Sequence, residues 1–225
     1  LDGSSNCAIT TPIGTIFSIS PADDSDVTSA LSGHNIVAAG VVTYGPATIM
    51  LLSVGDGVDV YQLDRTAGNF VRTTRDIRIP SGACEFAINS SNYRHWDPRV
   101  RMYIDDLIAG SDGPRGFDFN MRWFAAVAAE VYRIMVRGGI FLYPADDRPG
   151  YRKGRLRLVY EAHPIAFLIE QAGGIAIDGD APIIAKVASS VHERTGLVFG
   201  SADKVTRFVD YKPTDQFGGE RSPLF

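Results

Sequence analysis

The 225-residue chain is 45% hydrophobic, enough for a sizeable core, and carries a formal net charge of −4. That balance, with a pI near 5.5, excludes a broad nucleic-acid or anionic-membrane surface, which needs clustered Lys and Arg. No run approaches the ~18 apolar residues of a membrane span, and the two distant cysteines, Cys7 and Cys84, form no C-x-x-C pair and read as reduced thiols of a cytoplasmic protein.

From residue 14 to about 79 the pattern is of short β-rich runs between turn residues. Residues 14–19 read as a strand and 36–44 as a more buried one; 47–53, 58–63 and 69–71 follow as a meander, broken at Gly45-Pro46, Gly55-Asp56-Gly57 and 64–68. This half is expected to be an antiparallel sheet. Asp23-Asp24-Ser25-Asp26 lacks the glycine and distal glutamate of an EF-hand and reads as a solvated loop.

After residue 79 helices and strands alternate. Met121, Phe124, Ala128, Val131 and Met135 recur at helical spacing while Arg122, Glu130, Arg133 and Arg137 sit on other faces, so 118–137 reads as an amphipathic helix ended by Gly138-Gly139. Strands are expected at 140–143 and 156–160, a helix at 164–172, strands at 175–177 and 197–199, and a last helix at 202–209. The alternation argues for an α/β layered domain. The organisation expected is thus an α+β remainder over 1–78, an α/β domain over 79–212, and a loosely held tail over 213–225.

The chemistry starts at the first residues, Leu1-Asp2-Gly3-Ser4-Ser5-Asn6. A carboxylate followed by glycine and two hydroxyls sets a hard oxygen ligand beside backbone N–H groups that can turn toward a phosphate. The same residues are common turn formers, so an ordinary polar turn is the competing reading. The four histidines, His34, His95, His163 and His192, show no metal-ligand spacing and read as surface or capping residues.

Further segments occur in a fixed order: N-S-S-N at 89–92, N-M-R-W at 120–123, G-G-I-F-L-Y-P at 138–144, G-R-L-R-L-V-Y-E at 154–161 and E-Q-A-G-G at 170–174. Together with D-G-S-S-N they resemble class I fructose-1,6-bisphosphatase over nearly everything up to residue 212. The family motif reads D-P-L-D-G-S-S-N after a long N-terminal segment that carries further acidic metal ligands. With no initiator Met and no secretory pattern, the resemblance implies that the start lies upstream of Leu1 and that this chain holds a partial, inactive enzyme with part of its metal site.

The resemblance makes Asp2 and Glu161 the catalytic and metal-ligating carboxylates, with the Leu1 carbonyl as a third oxygen ligand. Glu161 is expected at the end of the 156–160 strand. Oxygen-only ligation suits Mg²⁺ or Mn²⁺. Asp2, Gly3, Ser4 and Ser5 would hold the phosphate being cleaved; Asn89, Arg122, Trp123, Tyr143 and Arg155 would grip the other phosphate and the sugar. Trp123 and Tyr143 also fit as core aromatics, and Arg122 as a surface charge. Trp123 stands where many members have tyrosine and Arg155 where lysine is usual; both remain donors to an anion. The matching arginine of the family serves a neighbouring subunit, which implies for Arg122 a symmetric homo-oligomer, a tetramer.

The implied reaction is metal-assisted hydrolysis of the 1-phosphate of D-fructose 1,6-bisphosphate, within gluconeogenesis or the Calvin cycle. Sedoheptulose 1,7-bisphosphatase, another sugar or inositol phosphatase of the superfamily, and a non-catalytic binding fragment are the alternatives.

Overall fold

The computed structural model describes residues 1–21 and 31–211; the acidic loop at 23–26 and the expected tail lie outside them. The first half is an antiparallel meander of five strands in chain order: β1 (Ile13–Ile19), β2 (Ala38–Tyr44), β3 (Thr48–Ser53), β4 (Asp59–Asp64) and β5 (Asn69–Thr74). Register is carried by β-branched and aliphatic residues, with Val41 opposite both Ile16 and Leu51, and Leu51 opposite Val60. The expected antiparallel sheet is therefore present, with its turns at the Gly-Pro and Gly-Asp-Gly breaks.

The second half continues as β6 (Glu85–Ile88), α1 (Pro98–Ala109), β7 (Asn120–Met121), α2 (Val127–Arg137), β8 (Ile140–Tyr143), β9 (Leu156–Arg157), α3 (His163–Gln171), β10 (Ile175–Ile177), β11 (Arg194–Thr195), β12 (Leu197–Gly200) and α4 (Ala202–Val209). Five of these strands form a mixed sheet in the order β10-β12-β8-β6-β7, and β9 pairs with β11 in a small ladder. In the mixed sheet β6 runs parallel to both β7 and β8, whereas β12 runs antiparallel to β8 and β10.

Both faces of this sheet are apolar because helices cover both. Ala87, Phe141 and Phe199 face one core, together with α2, α3 and the meander, while Phe86, Ile88, Ile140, Leu142 and Val198 face a second core with α1 and α4. The layers run sheet, helices, sheet, helices, the expected α/β layering. Among the described residues no helix is long and apolar enough to cross a membrane.

Two expected elements are corrected. The helix expected over 118–137 starts only at Val127; Asn120–Met121 pairs with β6, and Ala125, with φ 55°, breaks any helical continuation. The strand expected at 156–160 stops at Arg157 and becomes a π-helical turn, Leu158–Ala162, that runs into α3. β6 and α1 were not among the expected elements.

Candidate active site

The first residues fold onto the start of α2. Asp2 exchanges two backbone hydrogen bonds with Gly14 at the head of β1, 2.7 and 3.0 Å long. Gly14 cannot carry a side chain, since a Cβ there would lie 2.2 Å from the Ala128 Cβ. Gly3 takes a left-handed φ of 70°, and a Cβ there would lie 2.9 Å from the Ala126 Cβ, so glycine alone fits without strain. Buried Asn6 donates through its side-chain amide to the carbonyls of Pro12 and Phe124, at 3.0 and 3.1 Å. These ties leave Ser4 and Ser5 exposed, at the start of a 3₁₀ turn spanning Ser4–Ile9.

Asp2 Oδ2 accepts the Ala128 backbone N–H at 2.9 Å. Burial, joined by the nearby Glu161 carboxylate, pushes the Asp2 carboxyl up to about 6, against the pull of the Ala128 and Gly3 backbone donors. Glu161 stands in the π-helical turn and not at a strand end; its Oε2 accepts the Arg157 backbone N–H at 2.6 Å, which fixes how the turn leaves β9. Asp2 thus lies within reach of the Glu161 charge although the two stand far apart in the sequence.

A second group gathers at the carboxyl ends of the parallel strands, where open α/β sheets form ligand crevices. Ile88 pairs with Leu142, so Asn89 and Tyr143 leave β6 and β8 side by side, and Arg122 and Trp123 leave the neighbouring β7. Trp123 stacks on Phe141 with centroids 5.8 Å apart and meets Tyr143 edge-on at 5.9 Å. The Arg155 guanidinium lies 5.8 Å from the Tyr143 ring and 4.8 Å from that of Tyr151. Burial raises the Tyr143 hydroxyl above its ordinary range, and Arg155 opposes the shift. Asn89 faces inward locally, its Oδ1 accepting from the Ser91 backbone N–H at 3.2 Å and the Ser91 hydroxyl at 2.6 Å. The segment from Phe124 to Ala128 joins the two groups, since Asn6 and Asp2 bind it at one side and Trp123 begins it at the other.

Arg122 turns away from this cluster. Its backbone N–H bonds the Phe86 carbonyl at 2.8 Å, while its guanidinium Nε lies 3.7 Å from Glu85 Oε1 and the side chain stays 47% exposed. Glu85 is also bound by Arg133 at 3.0 Å and by Arg137, and Arg133 in turn by Glu130 at 2.8 Å. Glu130 and Arg133 are therefore buried, not on an outer helix face as their spacing suggested, and Glu130 Oε1 also accepts the Phe124 backbone N–H at 2.9 Å. The i, i+3 pairing of Glu130 with Arg133 was the available signal for this network. His163, the first residue of α3, is likewise buried, packed on Gly33, and is not a surface residue.

As ligands for a hard divalent cation, Asp2 and Glu161 have suitable chemistry: two oxygen donors, one of them desolvated and raised by the other's charge. Among the described residues no group of three or more His, Cys, Asp or Glu side chains could hold a metal.

The family model described as fructose-1-6-bisphosphatase, C-terminal domain, matches residues 79–212, and that of the N-terminal domain matches residues 1–75. The whole chain aligns with "Fructose-1,6-bisphosphatase class 1" of Rhodopseudomonas palustris (strain HaA2) at 47% identity and of Sinorhizobium medicae at 51%, covering 66% of each of those proteins. The holo crystal structure of Leishmania major fructose-1,6-bisphosphatase superposes with a TM-score of 0.84 at 33% identity, over 93% of this chain and 66% of that one. The chain therefore spans about two thirds of the length of its relatives. With both domain models matched in order along a layered α/β fold, the chain belongs to the fructose-1,6-bisphosphatase family.

Proposed function

We propose that this chain serves the Mg²⁺-dependent hydrolysis of the 1-phosphate of D-fructose 1,6-bisphosphate, giving fructose 6-phosphate and phosphate. The observation that carries this reading is the match of both family domains in order along the chain, with the Asp2 carboxylate of the D-G-S-S-N turn half-buried and within reach of the Glu161 charge. Asp2, Glu161 and the Leu1 carbonyl would hold Mg²⁺ or Mn²⁺, which when bound supplies an activated water and neutralises charge on the phosphoryl oxygens. Ser4 and Ser5 offer exposed hydroxyls to the phosphate being cleaved, and the Gly3 conformation brings the backbone close without a side chain in the way.

The uncleaved end of the substrate would lie over the strand ends. There the indole N–H of Trp123, the hydroxyl of Tyr143, the guanidinium fork of Arg155 and the amide of Asn89 are the donors for a phosphate and a sugar. The same reading assigns residues 1–78 to metal and phosphate and 79–212 to sugar phosphate. It also assigns Arg122, half exposed and only loosely held by Glu85, to a neighbouring subunit's phosphate in a homotetramer.

The deciding experiment measures phosphate release from fructose 1,6-bisphosphate with and without Mg²⁺ in a protein of the relatives' length, for the parent and for Asp2→Asn. The parent should turn over only with Mg²⁺ and the variant should lose about a thousandfold or more in kcat. Equal turnover in the two proteins would remove Asp2 from the reaction.

A further inference from the structure

Two loops flank the strand-end cluster, and one side-chain pair joins them. The first follows β6: Asn89 begins a 3₁₀ turn spanning Ser90–His95. The second, residues 144–155, links β8 to β9 and delivers Tyr151 and Arg155. Within the second loop Asp146 N–H bonds the Tyr151 carbonyl at 3.2 Å, Tyr151 N–H the Arg148 carbonyl at 3.0 Å, and Gly154 N–H the Tyr151 carbonyl at 2.8 Å. Asp146 also holds the Arg148 guanidinium, which covers one approach to the Tyr151 ring at 4.6 Å while Arg155 contacts the same ring at 4.8 Å. These contacts tie the loop to itself as one unit.

Asp147 is its tie to the first loop. The Asp147 backbone N–H donates to the His95 carbonyl at 3.2 Å, and His95 Nδ1 meets Asp147 Oδ1 at 2.8 Å. Arg94 settles the tautomer: its Nε–H, which can only donate, points at His95 Nε2 at 3.1 Å, so Nε2 accepts and the proton sits on Nδ1, donating to Asp147. The imidazole is oriented from both sides although 52 residues separate His95 from Asp147. Asp147 itself is 71% exposed, so the pair does not serve the core.

We propose that His95 and Asp147 form a latch that sets the gap between Asn89 on one side and Tyr143 and Arg155 on the other, and so positions the Arg155 donor for the uncleaved phosphate of the substrate. His95 and Asp147 are positioning residues and touch no substrate. The proposal rests on the reading that Arg155 binds that phosphate.

The test uses a protein of the relatives' length with fructose 6-phosphate as probe, which carries only the uncleaved phosphate. Asp147→Ala should weaken fructose 6-phosphate binding by about five- to tenfold in calorimetry, the scale of one ordinary hydrogen bond lost from an exposed pair. Asp147→Asn keeps an oxygen acceptor for His95 Nδ1–H and should bind within about twofold of the parent. The double variant His95→Ala with Asp147→Ala should be no weaker than either single one, because both remove the same bond. Without ligand, hydrogen exchange at the amides of residues 146–154 should quicken in Asp147→Ala and stay at the parent rate in Asp147→Asn. Unchanged exchange together with unchanged binding in Asp147→Ala, while Arg155→Ala loses binding, overturns the latch and leaves the phosphate site intact. If Arg155→Ala binds normally, the phosphate assignment itself fails, and the positioning role falls with it even where exchange shows the loop released.

Discussion

The carboxylate of Asp2 caps α2 from 126 residues away, accepting the Ala128 backbone N–H at 2.9 Å, whereas the residue at the helix's own N-cap, Ala126, offers no side-chain acceptor. A carboxylate at that end satisfies an orphan donor and complements the helix dipole. Asp2 thus has two tasks, which two substitutions separate. Asp2→Asn retains an oxygen acceptor and should unfold within ~0.5 kcal/mol of the parent in urea, while Asp2→Ala should lose about 1 kcal/mol. Both should lose Mg²⁺-dependent turnover. An Asp2→Asn protein as unstable as Asp2→Ala would show that charge, not capping, ties the N-terminal segment to α2.

Glu161→Gln should lower turnover less sharply, since the amide keeps one neutral oxygen ligand and excess metal can partly restore occupancy. A titration of initial rate against Mg²⁺ checks this: the half-saturating concentration should rise in the variant. A reduced rate with an unmoved metal dependence would place Glu161 outside the metal's ligands.

Glu85 tests the buried network. It is 7% exposed and answers Arg133, itself almost fully buried with one nitrogen, Nη2, that has no hydrogen-bond partner among the described residues. Glu85→Ala should cost about 3–5 kcal/mol by leaving Arg133 under-compensated, whereas Arg137→Ala, on a side chain 61% exposed, should cost under about 1 kcal/mol. Arg137 foremost, with Arg133, holds the Glu85 carboxyl below its ordinary 4.5. Its contribution is therefore complete above pH 4.5 and is lost as pH falls below that value. Urea unfolding between pH 3 and 6 should show this loss in the parent and a flatter profile in Glu85→Gln.

Ala125 is a non-glycine residue held at φ 55° between Phe124, which Asn6 and Glu130 both grip, and the first turn of α2. Left-handed backbone costs an L-residue about 1–2 kcal/mol, and a glycine's extra unfolded-state freedom returns about 0.4–1 of that. Ala125→Gly should therefore gain roughly 0.5–1 kcal/mol in chemical denaturation. A loss of stability instead would mean that the alanine methyl makes a packing contribution larger than the strain.

Mixing subunits tests Arg122. Arg122→Ala and Asp2→Asn proteins of the relatives' length, inactive alone, should regain activity on co-assembly if each site combines one chain's carboxylates with a neighbour's arginine. Activity no greater than the sum of the separate variants would leave Arg122 as a surface partner of Glu85.

What the sequence made legible follows from where period and turn chemistry agree. The meander could be read because Gly-Pro and Gly-Asp-Gly interrupt runs of alternating burial, as in Ile49, Leu51 and Ser53 on β3. The start of α2 was hidden because Met121 and Phe124 continue the helix's apolar spacing by coincidence, while the backbone of Met121 is committed to β6. Likewise L-R-L-V-Y alternates like a strand, yet a single side-chain bond from Glu161 to the Arg157 N–H closes a turn there. By contrast α1 carried ordinary signals, an Asp97 cap on Arg99 N–H at 2.8 Å, Pro98 at the first position and buried Val100, Tyr103, Ile104 and Leu107. The site residues were visible only as ordered motifs, since the pairing of Ile88 with Leu142 that sets Asn89 beside Tyr143 is sheet topology that no local pattern encodes.

The π-helical turn Leu158–Ala162 closes with the His163 N–H reaching back to the Leu158 carbonyl, one residue further than an α-helix reaches, and then flows into α3 without a break. A residue deleted there could be absorbed by tightening to ordinary helix, and α3 would keep its buried face. The direction in which Glu161 points would swing by about 100°, one residue's share of a helical turn. Deletion of one of the turn's partly exposed residues, Val159 or Tyr160, should consequently leave a folded protein whose Glu161 carboxylate points elsewhere, so that chain length has a share in aiming this residue.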